Sequence, residues 1–526
     1  MKIINALVFL ILFSTLYQAQ YKLAFDKKIM INQNKLSNQQ MLLNEINPYP
    51  DSADNPVIKS FADTTKTSLP DTINTSLTDT LKYNMYGDLL NDNPLYNPKS
   101  SWWMVALRVT LANATTFAID RYIFNYDFSR VGFNSWRHSF KTGWEWDVDR
   151  FGMNYFFHPF SGAMFFNAAR ANGYTFFESA PFAVLGSLEW EYFGENTLPS
   201  YNDIINTPVN GIFLGEIFYR LGSNILDDQT TGASRFFREM AVAIMTPTRF
   251  FSRLLQGKLT RLTTEEVYQK EPLNLTLVAG YHKVNAGRKI ENEGTNSLNV
   301  NITLDYGNPF EKRSRKPYDY FRLKTDLDFG VGRKVIDLIT GYGILYGSNI
   351  QTGNLEMLTG LFQHMNFFDN NTFELGSIAF GPGVISKMPM SKSTSLYTNV
   401  HAGIVPFGAL SKRLGITDTS QVRDYNYVGG AEGKIEFAFN IGGWVSLSFI
   451  GYYWWFHTFI GLAGNSYVGI IKPSVAFRIF NNVSVGFEHL VYYSDRYPRD
   501  FASVHSVRTE QKIFLQLFIE EFKFKR

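Results

Sequence analysis

Residues 273–524 are a succession of alternating segments, and nothing in that half of the chain is long and apolar enough for a spanning helix. In residues 298–306, Leu298, Val300, Ile302, Leu304 and Tyr306 fall on one face, and Asn299, Asn301, Thr303 and Asp305 fall on the other. Residues 321–329 repeat the pattern, with Phe321, Leu323, Thr325, Leu327 and Phe329 against Arg322, Lys324, Asp326 and Asp328. Side chains alternate sides along a strand, so one face is apolar and the other charged. A soluble sandwich can use this pattern. A transmembrane barrel uses it with lipid outside and a polar lumen inside.

The N-terminus favours the barrel. Lys2 precedes an apolar run over 3–16, long enough for a signal-peptide core and too short to span a membrane. A leader over 1–19 is expected, although Tyr17 is larger than the residue usual three positions before a cleavage site. The chain has no cysteine, which excludes disulfides, acylated lipoprotein attachment and thiolate metal ligands. With 50 basic and 47 acidic residues it carries no basic excess that would argue for nucleic acid. Aromatics make up 16% of residues, as suits a surface of lipid-facing rings.

Residues 20–98 read as a disordered tether, because 64–81 hold few large apolar residues and no steady period. Residues 99–262 read as a helical domain, with helices over 102–124, 156–171, 176–193 and 203–221 stopped by Gly173, Gly194 and Gly222. Asp203 is placed to cap the last of these. Gly211 and Gly215 share a helix face and permit close backbone approach, in a soluble crossing or a membrane pair alike. Residues 233–261 interleave arginines with phenylalanines. They either lie along anionic headgroups or pack the Phe face inward with the charges in water.

About twelve strands follow over 270–526, each read as one crossing. With strand one running outward, the tight turns at 440–444 and 480–483 fall on the periplasmic side and the long connections 407–425 and 494–506 fall outside, as such barrels require. The long basic connection 307–319 dissents and is expected to touch the helical domain. Val445 and Trp455 are ten positions apart on one face. At about 3.4 Å per residue and about 45° tilt that is roughly 24 Å, the height of an apolar band. Trp454, Tyr492 and Tyr493 are assigned to an outer aromatic girdle, and Phe522 and Phe524 to the terminal aromatic position.

Ionisable residues concentrate in the helical domain: His158, Glu191, Asp203 and Glu216. A His with carboxylates in an apolar setting can bind a divalent metal or act as an acid–base pair. The competing reading is a satisfied polar network, with Glu216 paired to Arg220 or Arg170. No catalytic spacing motif is present, and no particular cofactor is indicated. In the barrel, parity puts His364 and His401 in the lumen among Lys434, Glu436, Lys472 and Glu488. They are either part of a packed lumen or part of a lipid-active site.

Trp146-Asp147 with Asn154, His158-Pro159 with Gly162, Arg170 with Gly173, and the run Ser187 to Glu191 form a distinctive set. Asp203, Gly211 and Gly215-Glu216 complete it. This set resembles an uncharacterised family, a domain of unknown function in Gram-negative envelope proteins that joins such a helical segment to an outer-membrane barrel. The resemblance implies an architecture and no activity. The combined expectation is an α+β chain in the outer membrane, with the helical domain at the periplasmic mouth. Its expected partners are outer-membrane lipids and the barrel-assembly machinery, and its role lies in envelope structure, transport or assembly. The alternative is a lipid-modifying hydrolase using His158, Glu191, Asp203 and Glu216, or His364.

Overall fold

The computed structural model describes residues 89–285, 294–330, 334–370, 374–411 and 424–522. The expected leader, the tether up to residue 88, and Phe524 lie outside the described residues. Residues 89–98, assigned above to the tether, are packed. Leu89 and Asn93 are buried, the Asn93 N–H donates to Val267 O at 2.8 Å, and Asp92 accepts from the Gln269 N–H and the Tyr219 hydroxyl.

Seven α-helices and three π turns come next among the described residues. Helix α1 (Trp102–Ala118) continues into a π turn (Ile119–Ile123), and α2 is Phe133–Thr142. A π turn (Met153–Phe157) leads into α3 (His158–Arg170), and α4 (Phe176–Glu189) ends in a third π turn (Trp190–Gly194). Helices α5 (Tyr201–Ile225), α6 (Gly232–Met245) and α7 (Pro247–Leu255) complete the segment. Local chemistry sets these limits. Thr175 and Glu178 cap α4 reciprocally. Gly173 leaves α3 at φ +84°. Pro247 opens α7, where its missing N–H costs nothing.

Two boundary expectations fail. Gly222 does not stop α5, because the helix runs on to Ile225, and the absent Cβ there leaves room for the Arg249 guanidinium, 3.0 Å from where it would sit. Asp203 is not the cap of α5. Ser200 is, accepting the Asp203 N–H at 3.3 Å.

Twelve antiparallel strands close into a barrel, β1 (Leu273–Asn285) pairing with both β2 (Thr295–Tyr306) and β12 (Val504–Ile519). Between them run β3 (Phe321–Asp328), β4 (Ile336–Thr352), β5 (Leu355–Asp369), β6 (Glu374–Pro389), β7 (Ser395–Ser411), β8 (Tyr425–Ile441), β9 (Val445–Ile460), β10 (Gly464–Arg478) and β11 (Val483–Pro498). The rim where β1 begins, here the near rim, carries the two tight turns. The opposite, far rim carries the β7–β8 and β11–β12 connections. The latter is shorter than expected, because Arg496 pairs with Val504 and extends both strands.

The two faces of the wall follow the alternation, and they correct two girdle assignments. Trp454 and Tyr492 are buried in the lumen, one residue out of step with the outward-facing Tyr453 and Tyr493. On β12, Ile513 and Leu515 face outward and Phe514 inward. Ion pairs bridge the lumen from wall to wall and brace neighbouring strands. Arg322 and Lys324 on β3 reach Glu436 on β8 at 2.7 and 2.5 Å. Lys472 and Lys512 hold Glu488 at 3.1 and 3.5 Å.

The helices sit on the outside of this wall. Residues of β4 to β8 that touch the helical segment have outward parity: Gly341, Gln363, Phe367, Gly376, Phe407 and Tyr427. Tyr342 and His364, one position away from Gly343 and Gln363, are in the lumen. Trp146 meets Tyr427 and Phe459 near the far rim, with ring centroids 5.0 and 5.8 Å apart. Midway, Gln363 Nε2 donates to Val209 O at 3.0 Å. At the near rim, the Arg220 guanidinium donates to Pro317 O at 2.6 Å, and Asn224 Nδ2 donates to Glu271 O at 2.8 Å. The contacts therefore run along the wall from rim to rim and are not confined to the mouth. The 307–319 connection does touch the helices, as expected. Seats are cut for them: a Cβ at Gly376 would lie 2.1 Å from the Tyr155 ring, and one at Gly343 2.3 Å from that of Tyr318, which packs on Phe213 of α5.

Candidate functional site on the outer wall

The residues singled out from the sequence fall in three places. His158, Glu191 and Asp203 converge near the far rim, where the start of α3, the third π turn and the first turn of α5 meet. His158 Nε2 lies 3.7 Å from Asp203 Oδ1. Glu191 accepts the Ser200 N–H at 2.7 Å. Ser200 Oγ donates to Asp203 Oδ2, and Asn202 Nδ2 donates to Asp203 Oδ1 at 3.0 Å. Asn202 Oδ1 accepts the Asp147 N–H at 3.1 Å. Asn154 Nδ2 then bridges Asp147 Oδ1 at 3.0 Å and the hydroxyl of Tyr425, on the barrel, at 2.6 Å.

Each carboxylate named here has a holding task. Glu191 fixes the loop before α5, Asp203 closes the cap with Ser200, and Asp147 links to the barrel through Asn154. Buried polar groups satisfied in this way rigidify a site. The cluster brings an imidazole, carboxylates and a hydroxyl together, and the buried hydroxyl donates to Asp203 Oδ2 and accepts the Asp203 N–H. Among the described residues, no three His, Cys, Asp or Glu side chains converge on a point that would hold a metal ion.

Glu216 is elsewhere. It lies thirteen residues along α5 from Asp203, about 20 Å at 1.5 Å rise per residue. There it is fully buried between Arg170, at 2.7 Å, and Arg220, at 2.8 Å. Arg220 passes the network on to Pro317 O and Asp319 of the barrel connection. The ion-pair reading of Glu216 holds, so it does not join the other three.

His364 is on the other side of the wall. Its Nδ1 lies 3.3 Å from Glu432 Oε1, and its ring sits 4.8 Å from that of His401. Asn366 and Trp454 donate to Glu432 at 2.7 and 2.9 Å, and Lys434 Nζ donates to Asn366 Oδ1 at 2.7 Å. This is a packed lumen network, separated by the sheet from the helical cluster.

Residues 233–261 invert the expected amphipathicity. Arg235, Arg238, Arg249 and Arg253 are buried. Arg253 pairs with Asp228 and Glu239 at 3.0 and 2.6 Å, and Arg249 Nη1 donates to Tyr219 O at 2.6 Å. Lys258, beside this knot, has its ammonium pulled down to about 8 by burial and by the neighbouring Arg261 and Arg253. The phenylalanines Phe236, Phe237 and Phe251 point outward. Sequence reading also passed over the tyrosines Tyr425 and Tyr427 and the asparagine ladder of α5. Asn202, Asn206 and Asn210 recur every four residues on one buried face, and that spacing was the available signal.

None of the curated proteins matches the chain. Several solved outer-membrane barrels resemble it. The outer-membrane channel DcaP of Acinetobacter baumannii is 6% identical over 47% of this chain and 96% of its own, with a TM-score of 0.22. An outer-membrane channel from Pseudomonas putida F1 is 8% identical over 47% of this chain and 96% of its own, at 0.27. The Pseudomonas putida toluene transporter TodX is 6% identical over 48% and 89%, at 0.21. The helical segment, at residues 143–248, matches the family described as a domain of unknown function, DUF3943.

Proposed function

We propose that this protein is a non-conducting outer-membrane barrel that serves envelope structure or assembly through its outer wall. The observation that carries the reading is the lumen, where Arg322, Lys324 and Glu436 on facing strands close the bore with ion pairs. A closed antiparallel barrel with an outward apolar belt and tight near-rim turns fits an outer membrane. Water-filled channels leave their bore open, and this one is occupied by side chains. Reconstituted in planar bilayers, the protein is expected to give no stepwise conductance. Regular single-channel steps from the purified, heat-modifiable barrel would replace this reading with transport through the lumen.

The His158–Asp203 contact beside Glu191 favours a second reading, a lipid-modifying hydrolase. Its hydrogen bonds are those of a cap and a loop clamp, so Glu191→Ala is expected to reduce assembled protein without changing lipid chemistry. Mass spectrometry of outer-membrane lipids from wild type, deletion and Glu191→Ala strains at matched protein level tests this. A lipid species altered equally in the deletion and the point variant would establish the hydrolase.

A further inference from the structure

We infer that the helical bundle lies within the bilayer beside the barrel, with its outward face solvated by acyl chains. The inference rests on the barrel spanning a membrane. The bundle packs on outward-facing residues between the two rims, and elsewhere around the barrel residues of that parity, such as Ile513 and Leu515, are exposed and apolar. Whatever covers such a surface between the rims takes the place of lipid.

The lengths agree with this position. Helix α1 with its π turn covers 102–123, the second π turn with α3 covers 153–170, α4 with the third π turn covers 176–194, and α5 covers 201–225. At 1.5 Å per residue these are about 27 to 37 Å, against about 30 Å of hydrocarbon. They alternate in direction between the rims. Lys99 and Glu178 pair at the near-rim end, and the charged residues of 127–150 gather at the other, where Asn154 meets Tyr425.

The faces agree as well. On α1, the outermost helix, Trp103, Leu107, Leu111, Ala114, Ala118 and then Tyr122 form one exposed stripe without a charge. Trp103 is 54% exposed and Tyr122 78%. Thr110 and Thr115 are exposed beside the stripe, with hydroxyls that donate to Ala106 O and Leu111 O of their own helix, while Arg108 and Asn113 point the other way. Arg108 bonds Asn172, and Asn113 Nδ2 donates to Gly186 O at 3.0 Å. A helix on the surface of a soluble protein has the reverse arrangement. Helix α4 repeats it with Phe177, Pro181 and Val184 outward, and α7 with Leu254 and Leu255. Among the described residues no single helix is long and apolar enough to cross a membrane. The bundle meets lipid with one side only, and its buried charges are paired inside it, Glu216 with Arg170 and Arg220, and Arg253 with Asp228 and Glu239.

The absence of cysteine makes the test direct. Spin labels are placed by Leu107→Cys and Leu111→Cys on α1, Leu515→Cys on the barrel belt, and Lys392→Cys in a near-rim turn. The protein is reconstituted in phosphatidylethanolamine–phosphatidylglycerol vesicles and checked for heat-modifiable migration. Collision rates with oxygen, which partitions into lipid, and with a water-soluble nickel chelate are compared. Positions 107, 111 and 515 are expected to show an oxygen-to-nickel ratio several-fold above that of 392. A lipid-like 515 with water-like 107 and 111 overturns the inference and leaves the barrel in place. A water-like 515 removes the barrel reading and the inference with it.

Discussion

Replacing Glu216 by alanine is expected to detach the helical bundle from the barrel. The carboxylate is fully buried and holds Arg170 at 2.7 Å and Arg220 at 2.8 Å. Removing it leaves two buried guanidinium groups facing each other without the carboxylate between them. Breaking a buried ion network by deleting one member costs about 3–5 kcal/mol, far more than a surface pair. Arg220 also anchors the 307–319 connection through Pro317 O, so the loss reaches the contact between bundle and barrel. Limited proteolysis should cut residues 99–262 rapidly in Glu216→Ala, while the barrel, closed by its own ladder, keeps its heat-modifiable migration. Glu216→Gln, which keeps the acceptor and drops the charge, should be intermediate. Wild-type protease resistance in Glu216→Ala would refute the assigned role.

The second large effect is steric. Helices α3 and α5 cross at Gly162 and Gly211. A Cβ on Gly162 would lie 1.9 Å from Thr207 O, and one on Gly211 2.5 Å from the Gly162 Cα. No rotamer change relieves a clash with backbone. Helix α5 is fixed to the wall through Gln363, so Gly162→Leu must push α3 outward and break the Asn167 Nδ2 to Gly215 O bond of 3.0 Å. Overpacking of this kind costs about 1–3 kcal/mol and often more. Thermal melts followed by helical circular dichroism should show the bundle unfolding at lower temperature in Gly162→Leu. Gly132→Ala, with nothing within 4 Å of the added Cβ, should melt like wild type. Equal melting of all three proteins would show that the crossing tolerates a side chain.

The barrel was legible because its alternation holds through most of each strand, despite register shifts among β3 to β9. Asn299 and Asp305 face the lumen while Leu298 and Leu304 do not, and counting such runs leads to twelve crossings. Connection parity then sorts the tight turns to one rim. The side of the wall on which the helices sit was not legible, since Met365 and Phe367 satisfy an apolar outward face whether they meet lipid or a helix. Two signs of docking were present: Gln363, a polar residue of outward parity, and the glycines Gly341, Gly343 and Gly376, which leave the wall without side chains where rings enter. Within the site, His158, Glu191 and Asp203 come close because the start of α3, the π turn that ends α4 and the first turn of α5 meet near the far rim. Glu216 entered the group because ionisable residues concentrate in the helical domain, and thirteen residues of helix separate it from Asp203, more distance than a site spans. Gly222 was misread because a glycine that makes room for an arginine looks like one that ends a helix.

The dispersal of apolar surface over several helices bears on how the chain reaches its destination. A segment apolar enough on all sides is retained in the first membrane it meets during export. Helix α1 with its π turn carries Arg108, Asn113 and Asp120 between its rings, and α5 carries Asp203, Glu216 and Arg220. Unfolded, none of them offers the hydropathy that would halt translocation. The lipid-compatible face comes into being only when the helices fold together and turn their polar groups toward one another. The proposed position of the bundle in an outer membrane thus needs no segment that a first membrane would retain, because its apolar outside is made by folding and not carried by any one helix.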